Sequence, residues 1–115
     1  MRLPVLACVF LGLAPLTAWS AEGKPPMFDG LTTTKSADDY VACVTQAYAK
    51  RWPGTSATTF PDGHRVLIAS AKDGPAQGEM SVANAVDGKS LVTLRGAGLS
   101  LRTQHDMSVL MQQCR

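Results

Sequence analysis

At 115 residues, 45% hydrophobic and 17% charged, the chain has the balance of one ordinary globular domain with rather few charges. Lysine plus arginine number 11 against 9 carboxylates. That near-neutral balance excludes the strongly basic surface that nucleic-acid binding favours.

The first twenty residues read as a secretory signal. Arg2 supplies a basic start, Leu3 to Leu16 an apolar run, and Ala18-Trp19-Ser20 before Ala21 a small-x-small cleavage site. A permanent anchor fits less well, because the run contains Pro4 and Pro15 and is shorter than the roughly 20 residues a spanning helix needs. Acylation at Cys8 also fits less well, since that cysteine comes before any hydrophobic region is complete. Cleavage after Ser20 removes Arg2 and leaves 95 residues with a net charge of +1, no stable membrane span, and an address in the periplasm or outside the cell. A core of that size buries roughly 60 to 65% of the unfolded surface, so a covalent staple is expected.

The same cleavage takes Cys8 away and leaves Cys43 and Cys114, for which only one pairing exists. In an oxidising compartment that pairing is a disulfide. A metal site would need further ligands at close spacing, and His64 and His105 fall in no CxxC or HxxxH pattern, so neither metal nor cofactor is expected.

Residues 21–35, AEGKPPMFDGLTTTK, hold Pro25-Pro26, Asp29-Gly30 and a threonine run without sustained periodicity, and read as a flexible arm or linker. Met27, Phe28 and Leu31 give that arm a means of docking on the body. The single domain then spans residues 36–115. Ser36 to Pro53 is its clearest helix: Ser36 and Asp39 form a capping pair, and Asp38 and Asp39 face the positive end of the helix dipole. Lys50 and Arg51 balance the other end, and Pro53-Gly54 stops the helix. Tyr40, Val41, Val44, Ala47, Tyr48 and Trp52 recur at helical spacing as an apolar stripe, with Cys43 beside it.

From Thr55 to Gly96 the period becomes extended, punctuated by Asp62-Gly63, Asp73-Gly74 and Asp87-Gly88. Between these turns TSATTF, HRVLIASA, GEMSVANAV and KSLVTLR read as four strands of an antiparallel meander. Alternation within the strands is imperfect and both faces are partly apolar: Val66 and Ile68 oppose Leu67, Ala69 and Ala71, Met80, Val82 and Val86 oppose Ala83 and Ala85, and Val92 and Leu94 oppose Leu91, Thr93 and Arg95. One face must pack on the helices, while the other is left to solvent, to the arm, to a partner protein or to a second copy. Gly96-Ala97-Gly98 lacks the context of a dinucleotide fingerprint and reads as a loop. Helical spacing returns at the end, where Thr103 with Asp106 looks like a cap and Met107, Leu110, Met111 and Cys114 share a face. The predicted fold is α+β: helix, four-stranded antiparallel meander, helix, with both helices on one face of the sheet and joined through Cys43 and Cys114.

Chemistry-bearing patterns are sparse, and no catalytic residue is assigned. The enzymatic alternative is a small periplasmic hydrolase or ligand-binding enzyme using His64 with Asp62 or Glu79, but hairpin geometry already explains the Asp-Gly-His order. Arg65 and Arg95, with Arg102, are candidates to gather near one sheet edge and meet an acidic ligand or protein, with His64 beside them. The Cys-bearing helix SADDYVACVTQAYAKRWPG, the Asp-Gly-punctuated strands and the final helix ending in Cys resemble small secreted proteins of Gram-negative bacteria. That resemblance spans the mature domain and implies a periplasmic address and no activity. The functional expectation is an exported protein-binding domain, an envelope accessory, inhibitor or immunity-type protein.

Overall fold

A computed structural model describes residues 24–115. The segment read as an export signal, residues 1–20, lies outside the described residues, as does Cys8. The chain runs β1 (Met27–Thr33), α1 (Ala37–Arg51), β2 (Ser56–Phe60), β3 (Gly63–Ile68), β4 (Gly78–Val86), β5 (Lys89–Arg95) and α2 (Leu101–Gln113). Five antiparallel strands form one sheet in the order β1-β5-β4-β3-β2. The four expected strands are all present, but the sheet has a fifth. The segment expected as an arm supplies it over Met27–Thr33, pairing Leu31 with Val92 and Thr33 with Ser90. The physical reason is that β5 would otherwise be an unpaired edge with a buried face, and the Phe28 and Leu31 side chains complete the core beside it. Asp29-Gly30, which reads locally as a turn, is absorbed into β1 through a register shift between Met27 and Asp29.

Local signals explain the helix boundaries. Ser36 is the N-cap of α1, its hydroxyl accepting from the Asp39 amide at 3.1 Å. At the other end the Trp52 amide donates to the Tyr48 carbonyl, and Pro53 prevents another turn. The second helix starts earlier than the Thr103-Asp106 pattern suggests. Ser100 is its N-cap, accepting from the Thr103 amide, and Asp106 instead pairs with Arg51 of α1. The N-terminal turn so gained begins directly after the Gly96–Leu99 loop, where Gly98 has a φ of 69°.

The three Asp-Gly pairs have different roles. Asp87 (φ 56°) and Gly88 (φ 78°) are both left-handed and make the two-residue β4–β5 hairpin. The β2–β3 hairpin turns instead on Pro61-Asp62, with Gly63 already in β3 opposite Phe60. Gly63 is required by close approach, since a Cβ there would lie 2.3 Å from the Val82 carbonyl oxygen. Asp73-Gly74 belongs to the longer β3–β4 connection.

Both helices pack on one face of the sheet, and one core results. Val66, Ile68, Met80, Val82, Val92 and Leu94 from the strands meet Tyr40, Val44, Tyr48, Met107 and Met111 from the helices, all fully buried. The Cys43–Cys114 disulfide joins the middle of α1 to the end of α2, as expected, with the Cα atoms 5.8 Å apart. Two buried phenols reinforce it: the Tyr40 hydroxyl donates to the Met111 carbonyl at 2.7 Å, and the Tyr48 hydroxyl to the Met107 carbonyl at 2.6 Å. The last turn of α2 carries no basic residue of its own. Lys35, at the entry to α1, compensates by donating from Nζ to the Cys114 carbonyl at 2.7 Å.

Candidate functional site

The register of the sheet sorts the candidate residues onto two faces. His64 is opposite Val82 and so points to the helix side, while Arg65, Glu79 and Arg95 belong to the alternate rows on the open side. The register puts His64 on the opposite side of the sheet from Arg65 and Arg95, although His64 and Arg65 both line the groove beside the β2–β3 turn.

The His64 side chain is only 10% exposed, and both ring nitrogens are engaged. Nε2–H donates to Asp38 Oδ1 at 2.8 Å, which leaves Nδ1 to accept from the Thr59 hydroxyl at 3.3 Å. Asp38 lies in the first turn of α1 and Thr59 in β2, so the imidazole ties the helix start to the edge of the sheet. Asp62, the partner expected from sequence, sits in the turn, and Glu79 is on the other face. The depression beside His64 is an open groove of about 340 Å³ lined by the β2–β3 turn and Ser81 to Ala83. Among the described residues no group of three or more His, Cys, Asp or Glu side chains is placed to hold a metal ion.

Burial pushes the phenols of Tyr40 and Tyr48 well above the ordinary tyrosine range. The negative charge of Asp29, on the helix side of β1, adds to both, and at Tyr48 the contribution of Tyr40 comes before that of Asp29. Both hydroxyls serve as donors in the core, so these shifts belong to the scaffold.

The open face carries the more distinctive surface. Across it Leu67, Glu79 and Arg95 are neighbours in one row, Thr58, Arg65, Ser81 and Thr93 in the next, and Phe60, Gly63, Ala83 and Leu91 in a third. Arg65 Nε lies 3.1 Å from Glu79 Oε2 as an ion pair, and its guanidinium carbon lies 5.1 Å from the centre of the Phe60 ring. Arg95 is directly opposite Glu79 in the ladder, with Nη1 donating to the Pro25 carbonyl at 3.4 Å. Arg102 is far from them in sequence register, at the start of α2. Around this charged centre Met27, Phe60, Leu67 and Leu91 remain exposed although the helices bury comparable residues on the opposite face. Sequence reasoning reached the arginines but not the apolar frame, whose only signal was alternation too irregular to say which face is buried.

The free edge at β2 was also missed. All five of its residues are exposed, and none carries a charge. Among the described residues, no helix is long and apolar enough to cross a membrane. Comparison with protein-family models, with curated proteins and with solved structures finds no match for the chain.

Proposed function

We propose that the protein is an exported protein-binding domain of the cell envelope, an accessory, inhibitor or immunity-type protein, and that the open sheet face is its working surface. The observation that carries this reading is the exposure of Met27, Phe60, Leu67 and Leu91 around the Arg65–Glu79 pair on the sheet face opposite both helices. Apolar anchors framed by polar groups are the composition of a protein contact patch. The disulfide supports the exported address, because such bonds persist in oxidising compartments. The hydrolase reading receives less support, since the groove by His64 is open and both imidazole nitrogens are held by Asp38 and Thr59.

The test is affinity capture from periplasmic extract with the mature domain and with the double variant Leu67→Glu/Leu91→Glu. Both substitutions are at exposed positions and should leave the melting temperature nearly unchanged. Proteins retained by the wild type and lost from the variant would identify the partner. Identical retention by both would remove the open face as the working surface.

A further inference from the structure

We infer that the protein forms a two-fold dimer by antiparallel pairing of β2 with β2 of a second copy, giving one continuous ten-stranded sheet. The inference is independent of the protein-binding reading, because it rests on the backbone of the sheet edge and not on the open face.

Backbone groups in an antiparallel ladder alternate in direction, and the contacts around β3 fix which ones face out. The Ala69 carbonyl accepts from Gly54 on the β2 side, whereas the Ile68 and Asp62 carbonyls accept from Gln77 and Asn84 on the β4 side. Odd-numbered residues of β3 therefore direct their N–H and C=O groups toward β2, and their partners Ser56, Thr58 and Phe60 direct theirs back. Ala57 and Thr59 are left with both N–H and C=O pointing away from the sheet. The run ends at Pro61, which has no N–H, and at Thr55, whose amide is taken by the Trp52 carbonyl.

This short pattern is self-complementary. A register centred on Thr58 places Ala57 opposite Thr59 of the second copy and Thr59 opposite its Ala57, so every outward group of both strands is paired. Thr58 then faces Thr58 across a close pair, with Cα atoms about 4.5 Å apart, a favourable cross-strand combination. Phe60 falls opposite Ser56, and no charge meets a like charge because the strand has none. The helices leave room. α1 lies mainly over β3, so three strand spacings separate it from its copy, about 14 Å, which exceeds the 8–10 Å of helices in contact. A two-fold axis normal to the sheet keeps both helix pairs on one side and joins the two open faces on the other.

The opposite edge is built to prevent such pairing. β1 has an irregular register at Met27/Asp29, an acidic residue on its inner face at Asp29, and Pro25-Pro26 immediately before it. These are the devices by which sheet edges avoid association, and β2 has no charge, bulge or proline within it.

Sedimentation equilibrium of the mature, oxidised protein over a wide concentration range tests the inference with Thr58→Lys and Thr58→Glu. The wild type is expected to show a concentration-dependent monomer–dimer equilibrium. Each charged variant should be monomeric, since like charges would face each other at the centre of the pair, and an equimolar mixture of the two should recover the dimer. Thr58 is exposed, and unchanged circular dichroism would show that the fold is intact. Ala57→Pro removes an outward N–H without touching the β2–β3 ladder and should also weaken the dimer. A wild type that stays monomeric at every concentration, a dimer that persists in both charged variants, or a mixture that fails to recover it would overturn the inference.

Discussion

Reduction of the Cys43–Cys114 bond should remove a large share of the stability while leaving the native architecture in place. The two cysteines are 71 residues apart in sequence, and closing a loop of that length is worth about 4 kcal/mol in the chain-entropy treatment. A domain of this size has a total stability on the order of 5 to 14 kcal/mol. The reduced protein nevertheless keeps the Tyr40, Tyr48 and Lys35 bonds to α2, all made to backbone carbonyls and independent of the sulfurs. Urea unfolding followed by fluorescence of Trp52, which is buried against Tyr48, would measure the difference between oxidised and reduced protein. The midpoint should fall, and the slope with denaturant should rise, because the unlinked unfolded chain exposes more surface. In thermal unfolding the change corresponds to a drop on the order of 20 °C. Cys43→Ala/Cys114→Ala should behave like the reduced protein, with a small extra loss from packing at the buried Cys114. A stability difference below about 1 kcal/mol would refute the argument that the cross-link holds this small domain together.

The tyrosines give a prediction with a definite sign. Their folded-state pKa values lie above the unfolded value near 10, so their contribution is complete below that pH and is lost as pH rises beyond it. Stability should fall by up to about 1.4 kcal/mol per pH unit for each tyrosine, and phenolate absorbance should appear only with unfolding, since these are the chain's 2 tyrosines. Tyr40→Phe should halve that slope and cost about 1 kcal/mol at neutral pH through the lost bond to the Met111 carbonyl; an unchanged slope in urea titrations at high pH would count against this account. Thr45 has a buried hydroxyl oxygen with no hydrogen-bond partner among the described residues, so Thr45→Val should be neutral or stabilising by about 1 kcal/mol, and a loss of similar size would contradict it. Gly63→Ala would put a methyl against the Val82 carbonyl between two strands and should destabilise by about 1 to 3 kcal/mol in denaturant titration, whereas a neutral result would mean that the strands separate freely there.

Much of the scaffold was legible because its signals are local. Ser36 with Asp39, and Pro53 with Gly54, delimit α1 through groups within a few residues of one another. Asp87-Gly88 specifies its hairpin by left-handed backbone that few other pairs adopt. The cysteines were assigned by arithmetic, and the helical stripes that carry them place both on the same side of the sheet. β1 was not legible, because Pro25-Pro26 and Asp29-Gly30 are turn signals whose local preference is overridden by pairing with β5. The start of α2 was placed late for a related reason: Ser100 and Thr103 are both competent caps, and the position of the preceding loop selects the first.

The candidate sites show the same division. The sequence determines that His64 and Arg65 are adjacent and that neighbouring strand residues face opposite ways, but separating their roles depends on knowing which face the helices cover. Once α1 and α2 occupy the Val66 and Val92 side, His64 is drawn to Asp38 and Arg65 is left outside with Glu79. The exposed frame of Phe60, Leu67 and Leu91 and the outward backbone groups of Ala57 and Thr59, unpaired among the described residues, follow from that packing and from the strand order. By itself the sequence determined the extent of α1, the Asp87-Gly88 hairpin and the Cys43–Cys114 disulfide, all of them governed by short-range backbone preferences or by composition. Only the tertiary structure decided the fifth strand, the covered face and the open edge, because each depends on contacts between residues far apart in the chain whose energies outweigh local propensity.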